Sequence, residues 1–323
     1  MIIDKVNDEP TDFDHMLDDV DRRIVAALQR DGRVSAERLG EVLGFSVATA
    51  RRRLNNLLAN GAVRVSAAAP IPLTVHAMLL RVHVSQGKVD AVAEALVRRP
   101  DIALVDVSAG GDEILAILLA GPGPGNRLIF RQLPATTAVA AVEARTVIHV
   151  FANASDWRLD ALTETEQAAL TPPAVAPEPR EFDQLETDIA AALTTDGRAS
   201  ASAVAARIKH PESTVRRRMA ALFDEGHLVT SAMINPALLG LTVDANLWLR
   251  VPPAHLDTVG RALGKHPAVH GALATTGPAN LHLAVWLRDL DHLYQFITTE
   301  LADYPINDID TVLVGRALKR PGG

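Results

Sequence analysis

The chain has no cysteine among its 323 residues, which rules out disulfides, thiolate metal sites and cysteine nucleophiles and fits a reducing compartment. Aromatic residues make up only 4%, so the cores must be built from Ala, Val, Leu and Ile, which the 48% hydrophobic content supplies. Long apolar runs are missing. Ile114 to Ala120 is far too short to span a bilayer, and the acidic start, Met1 to Asp19, lacks the apolar segment of a signal peptide. Catalytic and metal patterns are missing as well. None of the eleven histidines forms an H-E-x-x-H pattern, and Pro267 keeps His266 and His270 from sharing a helix. They read as scattered surface or packed residues. No G-x-S-x-G elbow or P-loop occurs. The run Gly121-Pro122-Gly123-Pro124-Gly125 breaks the chain, but its prolines lack N–H donors and no Lys-Ser/Thr follows, so it is not a phosphate loop. Positive charge is scarce: 32 Lys and Arg against 39 Asp and Glu give −7. Taken alone, that balance argues against a nucleic-acid binder. The acid is nevertheless concentrated at the start (Asp4, Asp8, Glu9, Asp12, Asp14, Asp18, Asp19, Asp21) and near the middle (Glu164, Glu166, Glu178, Glu181), which leaves room for local basic faces.

Two such faces are present. Thr49-Ala50-Arg51-Arg52-Arg53-Leu54 returns as Thr214-Val215-Arg216-Arg217-Arg218-Met219. Each copy follows an Asp-Gly-Arg (Asp31-Gly32-Arg33, Asp196-Gly197-Arg198) and runs to a glycine, Gly61 or Gly226, all at a constant offset of 165. The chain therefore reads as an internal duplication whose halves each open with a small basic helical unit.

In chain order, residues 1–16 read as a flexible tail. The spacing of Val20, Ile24, Ala27 and Leu28 predicts a helix over Asp18–Arg30, capped by Asp18 and stopped by Gly32. Ser35 caps a helix over Ala36–Leu43, Gly44 turns the chain, and Ser46 caps a third helix over Val47–Asn60. Val63–Val65 supplies a short wing strand, so residues 17–66 read as a winged helix-turn-helix. The next segment, 67–152, alternates differently. Strands over Thr74–Val84, Ile102–Ser108, Ile114–Leu119 and Val139–Phe151, with helices over Lys88–Arg98 and Asn126–Leu133, give the β-α-β-β-α-β order of a ferredoxin-like sandwich. Residues 153–181 form a linker, with a short helix near Leu162–Leu170 and a proline-rich, semi-rigid end. Residues 182–231 repeat the winged unit, with helices over Gln184–Thr194, Ala201–Ile208 and Glu212–Glu225. Residues 232–323 repeat the sandwich, now at an offset of 167 between Pro100 and Pro267 and between Gly110 and Gly277. The expected fold is thus α+β, with two winged helix-turn-helix units alternating with two ferredoxin-like sandwiches.

A helix that enters the major groove needs small polar residues in its first turn and Arg for phosphates and guanine. Ser46, Ala48, Thr49, Arg51 and Arg52 fit that need in the first copy, and Ser213, Thr214, Arg216 and Arg217 in the second. Three consecutive arginines span roughly 200° of helix, so not all can face DNA. Arg53 and Arg218, nearest the core-facing residue, are as readily structural. Val47–Asn60 carries no acid, whereas Glu212–Glu225 carries Glu212, Asp224 and Glu225, so the first copy is expected to contribute more to affinity. Gly110-Gly111-Asp112 and Gly277-Pro278-Ala279-Asn280 read as hairpin turns, with a small-ligand site as the alternative.

Leu17-Asp18-x-x-Asp21-x-x-Ile24, Asp31-Gly32-Arg33, Thr49-x-x-Arg52-Arg53 and Gly61 together resemble the Lrp/AsnC (feast/famine) transcription regulators. So do Asp188-Ile189, Asp196-Gly197-Arg198, Ser213-Thr214-Val215-x-Arg217-Arg218, Glu225-Gly226 and Asn235-Pro236-x-x-Leu239-Gly240 in the second half. The resemblance implies double-stranded DNA as partner and sandwiches that sense ligand and oligomerise. It implies an amino acid or related metabolite bound near Gly110, Gly111, Asp112, Gly277 and Asn280, at a junction between sandwiches. It implies no cofactor, metal or catalytic residue and a cytoplasmic, nucleoid-associated protein. Family members usually carry one unit of each kind and dimerise through the sandwiches. Here the two sandwiches of one chain are expected to pair with each other, and chains to associate further, at least as dimers. Two rival readings are a siroheme decarboxylase-like enzyme of the same fold and a DNA-bridging architectural protein without an effector.

Overall fold

The computed structural model describes residues 16–70, 77–119, 127–173, 175–178 and 180–320. The tail up to residue 15, the start of the strand expected from Thr74 and the glycine–proline run at 121–125 lie outside these residues.

The first unit is built by local signals. Helix α1 (Asp19–Arg30) begins where the Asp18 carboxylate accepts the Asp21 N–H. Helix α2 (Ala36–Leu43) is capped by Ser35 and closes on Gly44 at φ +75°, a left-handed turn that glycine adopts without a Cβ penalty. Helix α3 (Val47–Ala59) is capped by Ser46. Ile24, Leu28, Leu39, Leu54 and Leu57 meet in its core. One expectation fails in detail. Gly32 has no positive φ, and α1 ends instead on an extended Asp31. Gly32 is small for another reason: a Cβ there would lie 2.7 Å from the Thr230 Cβ.

Strand β1 (Val63–Ala68) is not a wing. It leaves the first unit and pairs antiparallel with β6 (Val229–Ile234) in a two-stranded ribbon. A wing needs a hairpin partner from its own unit, and each unit supplies one strand only. The ribbon ties the units together: Ala232 and Ile234 complete the first core, while Ala67 completes the second.

The following elements are β2 (Ala77–Val84), α4 (Val89–Val97), β3 (Ile102–Ser108), β4 (Glu113–Leu119), a π-turn at Leu128–Gln132 and the long β5 (Val139–Ala152). The order β3-β4-β2-β5 is that of a ferredoxin-like sheet. Helix α5 (Glu164–Leu170) opens with a capping box from Thr163 and Glu166. It packs on the first unit through Leu162 and Leu170, so this part of the linker is anchored. Helices α6 (Gln184–Thr195), α7 (Ala201–Ile208) and α8 (Glu212–Asp224) form the second unit around Ile189, Leu193, Val215 and Leu222. After β6 come β7 (Val243–Arg250), α9 (Leu256–Leu263), β8 (Val269–Thr275), β9 (Leu281–Leu287), α10 (Leu290–Gln295) and β10 (Asp308–Lys319).

The two sheets do not stay separate. The outer end of β5 pairs with β8, and that of β10 with β3, which closes all eight strands into one barrel. Period-two alternation assigns the faces. On β2, Leu80, Val82 and Val84 meet the helices outside, whereas Leu79 faces inward with Arg81 between the sheets.

Both the ribbon and the barrel are reciprocal. Ser66 pairs with Ser231, its own counterpart at offset 165. Val147 pairs with Thr275 and Val314 with Ser108, and each member of one pair lies 167 from a member of the other. A two-fold-like axis therefore relates the halves.

Candidate nucleic-acid interface

The arginine triplets divide by helix geometry. Ala50, Leu54 and Leu57 anchor α3 inside, which leaves Ala48, Arg51, Arg52 and Asn55 exposed on the outer stripe. Ser46 stands at the helix start, where its hydroxyl accepts the Thr49 N–H and contacts the Thr49 hydroxyl at 2.9 Å. Both polar side chains are thus held at the N-terminal end, where backbone N–H groups attract phosphate. Arg51 pairs with Glu37 of α2. Arg52 makes no hydrogen bond or ion pair among the described residues. Arg53 turns back to Asp18 at 2.8 Å and Asp21 at 3.0 Å. The Asp21 N–H holds Asp18 below the usual carboxylate range, whereas burial and the Asp18 charge push Asp21 up.

Helix α8 divides its arginines in the same way, though with a different partner for the first. Arg216 pairs with Glu212, and Arg217 is exposed with no such partner among the described residues. Arg218 reaches Asp183 at 2.7 Å and Glu186 at 2.9 Å. Ser213, Arg216, Arg217 and Ala220 line an open groove of about 580 Å³. Pro211 stands where the first unit has Ser46, so α8 has no side-chain cap.

Each triplet thus holds one arginine in an intra-unit ion pair with its first helix, one paired on the surface and one unengaged. The expected superiority of the first copy loses its basis. The acid absent from α3 sits on α2, as Glu37 and Glu41. Residues 35–60 carry four Arg against two Glu, and residues 200–225 carry four Arg and one Lys against three acids, so both are net +2. Sequence reasoning also passed over Asn55, whose phase relative to Leu54 and Leu57 puts it beside Arg51 and Arg52. Its counterpart is Ala220.

The glycine hairpins lie one on each seam of the barrel. Gly111 adopts φ +70°, Asp112 is exposed, and the Ser108 hydroxyl donates to its carboxylate at 3.0 Å. The Ala109 N–H donates to Leu313 O of β10, and a Cβ on Gly315 would come within 2.9 Å of Ala109. Gly277 adopts φ +102° against Arg145 of β5, which donates to Ala279 O at 3.0 Å. Asn280 differs from Asp112. Its amide both accepts from Val251 N–H and donates to Val251 O at 2.9 Å, so it holds a loop.

The barrel interior is polar where the sheets meet. Arg81 forks onto Glu113 at 2.8 Å and crosses to Asp310 at 2.7 Å. Burial opposes its charge, but these carboxylates raise its pKa. Arg320 bridges Asp106 and Asp244, and burial pushes Asp106 up to about 7. His270 stacks on Trp286, and His282 bonds Asn246 at 3.0 Å; burial lowers both imidazoles, His282 to about 3. These two histidines are packed, whereas His149, His210 and His255 are exposed, in line with the reading of scattered surface or packed residues. The void lined by Asp106, Glu113 and Asn246 is about 10 Å³, roughly one water's worth of space. Among the described residues no cluster of three or more His, Asp or Glu could hold a metal ion. No helix is long and apolar enough to cross a membrane among them.

Residues 17–58 match the AsnC-type helix-turn-helix domain model, and residues 244–323 match the Lrp/AsnC ligand binding domain model. An uncharacterised HTH-type transcriptional regulator of Pyrococcus horikoshii is 35% identical over 123 residues, which cover 38% of this chain and 78% of that protein. The HTH-type transcriptional regulator AldR of Mycolicibacterium smegmatis is 29% identical over 43% of this chain and 85% of its own. The siroheme decarboxylase NirDL, solved with an iron-uroporphyrin III analogue, shares the fold across 94% of this chain and 93% of its own, with TM-score 0.60 and 15% identity. On the sequence relatives and the two matching domain models, the chain belongs to the Lrp/AsnC family of HTH-type transcriptional regulators.

Proposed function

We propose that one chain acts as a complete pseudo-dimer on DNA. Residues 17–66 and 182–231 are two DNA-binding units, and residues 67–152 and 232–323 are two effector-sensing sandwiches, joined by the linker 153–181 and derived by duplication. The observation that carries this reading is the reciprocal ribbon about Ser66 and Ser231, with an exposed arginine helix on either side of it. Equivalent helices about a two-fold suit a pseudo-palindromic operator. Arg52 and Arg217 supply phosphate contacts, with Arg51 and Arg216 released to DNA as it displaces their acidic partners. Ser46, Ala48, Thr49, Ser213 and Thr214 meet the groove at the helix starts. Because the counterpart of Asn55 in the other unit is Ala220, the two half-sites differ in sequence, with an adenine suited to Asn on one side.

The effector is an amino acid or similar metabolite at the seam hairpins. Exposed Asp112, beside Gly110 and Gly111, suits its ammonium group. Gly277 and Asn280 offer a weaker counterpart, since the Asn280 amide is already engaged. Chains associate further in the cytoplasm, at the nucleoid, into at least a dimer of the two-copy chain. Selection of genomic fragments with the full chain, followed by gel shifts with Arg52→Ala and Arg217→Ala, tests the reading. Binding that neither change weakens would sink it.

The siroheme decarboxylase fold keeps an enzymatic reading in view. The groove of about 670 Å³ beside the linker offers Arg30, Arg33 and Arg158, but Asp31, Asp156 and Asp224 line it too, with no histidine among the described residues that line it. Those carboxylates oppose a polycarboxylate tetrapyrrole, which favours the regulator. Absorbance titration with siroheme separates the two.

A further inference from the structure

We propose that the two Asp-Gly-Arg motifs form a reciprocal clamp that fixes the separation of the recognition helices, and that Arg33 and Arg198 thereby set the operator spacing the chain accepts. The inference rests on the reading that α3 and α8 both engage DNA.

The glycine and the arginine of each motif are explained by contacts with the other half. Arg33 donates to the backbone oxygens of Gly197 at 2.5 Å and Ala199 at 3.3 Å. Arg198 donates to Gly32 O at 2.5 Å and Val34 O at 3.0 Å. These targets are one another's counterparts at offset 165, so each guanidinium grips the residues that flank the other. The glycines permit the approach. A Cβ on Gly197 would lie 2.5 Å from the Ser66 carbonyl carbon, and one on Gly32 would strike Thr230 and Val65. Their N–H groups are used across the junction as well: Gly197 donates to Val65 O at 2.7 Å and Gly32 to Thr230 Oγ1 at 3.0 Å. The aspartates fix the turns. Asp31 accepts the Arg33 N–H at 2.8 Å and Asp196 the Arg198 N–H at 2.9 Å.

The clamp adds polar contacts to two cores that are themselves apolar, with Val34 and Val65 belonging to the first and Ala67 to the second. The clamp sits at the axis itself, between α1 and α2 and between α6 and α7. Two fork-shaped guanidinium groups on four fixed carbonyls resist sliding of one unit past the other, in a way that a single ammonium cannot match. Arg33 also lies over the Phe223 ring at 5.1 Å, near the end of α8, so the grip reaches the recognition helix directly.

The test uses the full chain and its selected operator. The spacer between half-sites is lengthened by about 2 and about 5 base pairs, roughly a fifth and a half of a ~10.5 base-pair turn. The wild type is expected to lose about tenfold or more in affinity on the longer insertion, as one half-site rotates out of reach. The double variant Arg33→Ala/Arg198→Ala is expected to lose about threefold or less, with unchanged affinity for a single half-site. Arg33→Lys/Arg198→Lys, which keeps charge and stem but not the fork, is expected to show the same tolerance, and it decides the matter if the alanine variant does not fold. Variants that keep the wild-type spacing profile, or that lose half-site and full-site binding equally, would overturn the clamp. So would a wild type indifferent to spacing. A wild type that binds no genomic fragment overturns the DNA reading beneath it.

Discussion

Arginine position within each triplet decides its role. Arg52 and Arg217 are exposed and make no ion pair or hydrogen bond among the described residues, whereas Arg53 and Arg218 answer carboxylates of their own unit. Arg52→Ala and Arg217→Ala are each expected to weaken operator binding and lower the slope of log affinity against log salt by about 1, with folding unchanged. Arg53→Ala leaves the half-buried Asp21 without its cation and is expected to cost about 1–3 kcal/mol in urea denaturation. Unchanged stability there, with lost DNA binding, would reverse the assignment. His282 gives a pH signature. Burial keeps its imidazole at about 3, against 6.5 for the ordinary group. Between those values the unfolded chain binds the extra proton, so stability falls as pH drops from about 6.5 towards 3, by up to about 1.4 kcal/mol per pH unit. His282→Gln is expected to flatten that part of the stability–pH curve, and an unchanged slope would show that the proton goes elsewhere.

At the scale of elements, the helices were legible because their signals are local. Asp18, Ser35 and Ser46 cap within three residues of themselves, and Gly44 marks its own turn. The ribbon was not legible. Val63–Val65 announces a strand but cannot name a partner 167 to 171 residues away, and a wing was the local guess. The Glu37–Arg51 pair escaped for the same reason, since it joins two helices that periodicity treats separately. Gly32 looked like a helix stop, and both Asp-Gly-Arg glycines serve as points of close approach. Gly197→Ala pushes a Cβ into the Ser66 backbone, which cannot rotate away, and is expected to cost about 2 kcal/mol or more. Gly32→Ala meets side chains of Thr230 and Val65, which can shift, so its cost is smaller. Equal losses in thermal denaturation would contradict this reading of the packing.

For the whole molecule, the barrel and the ribbon make one body from two halves. Strand order within each half was readable from the alternation of apolar residues, but the closure through β5 and β10 depends on edges that only meet in three dimensions. The same closure puts each glycine hairpin against the other half's long strand, where a bound effector would act on the seam. The number of grooves that one chain grips distinguishes a pseudo-dimer from a half-site binder. Hydroxyl-radical footprinting of the selected operator, with the bound mass counted by native mass spectrometry, measures this directly. The expected result is two protected major-groove patches, about 10 base pairs or a multiple of it apart, for every chain bound. One patch per chain, with a second chain required to complete the operator, would contradict it.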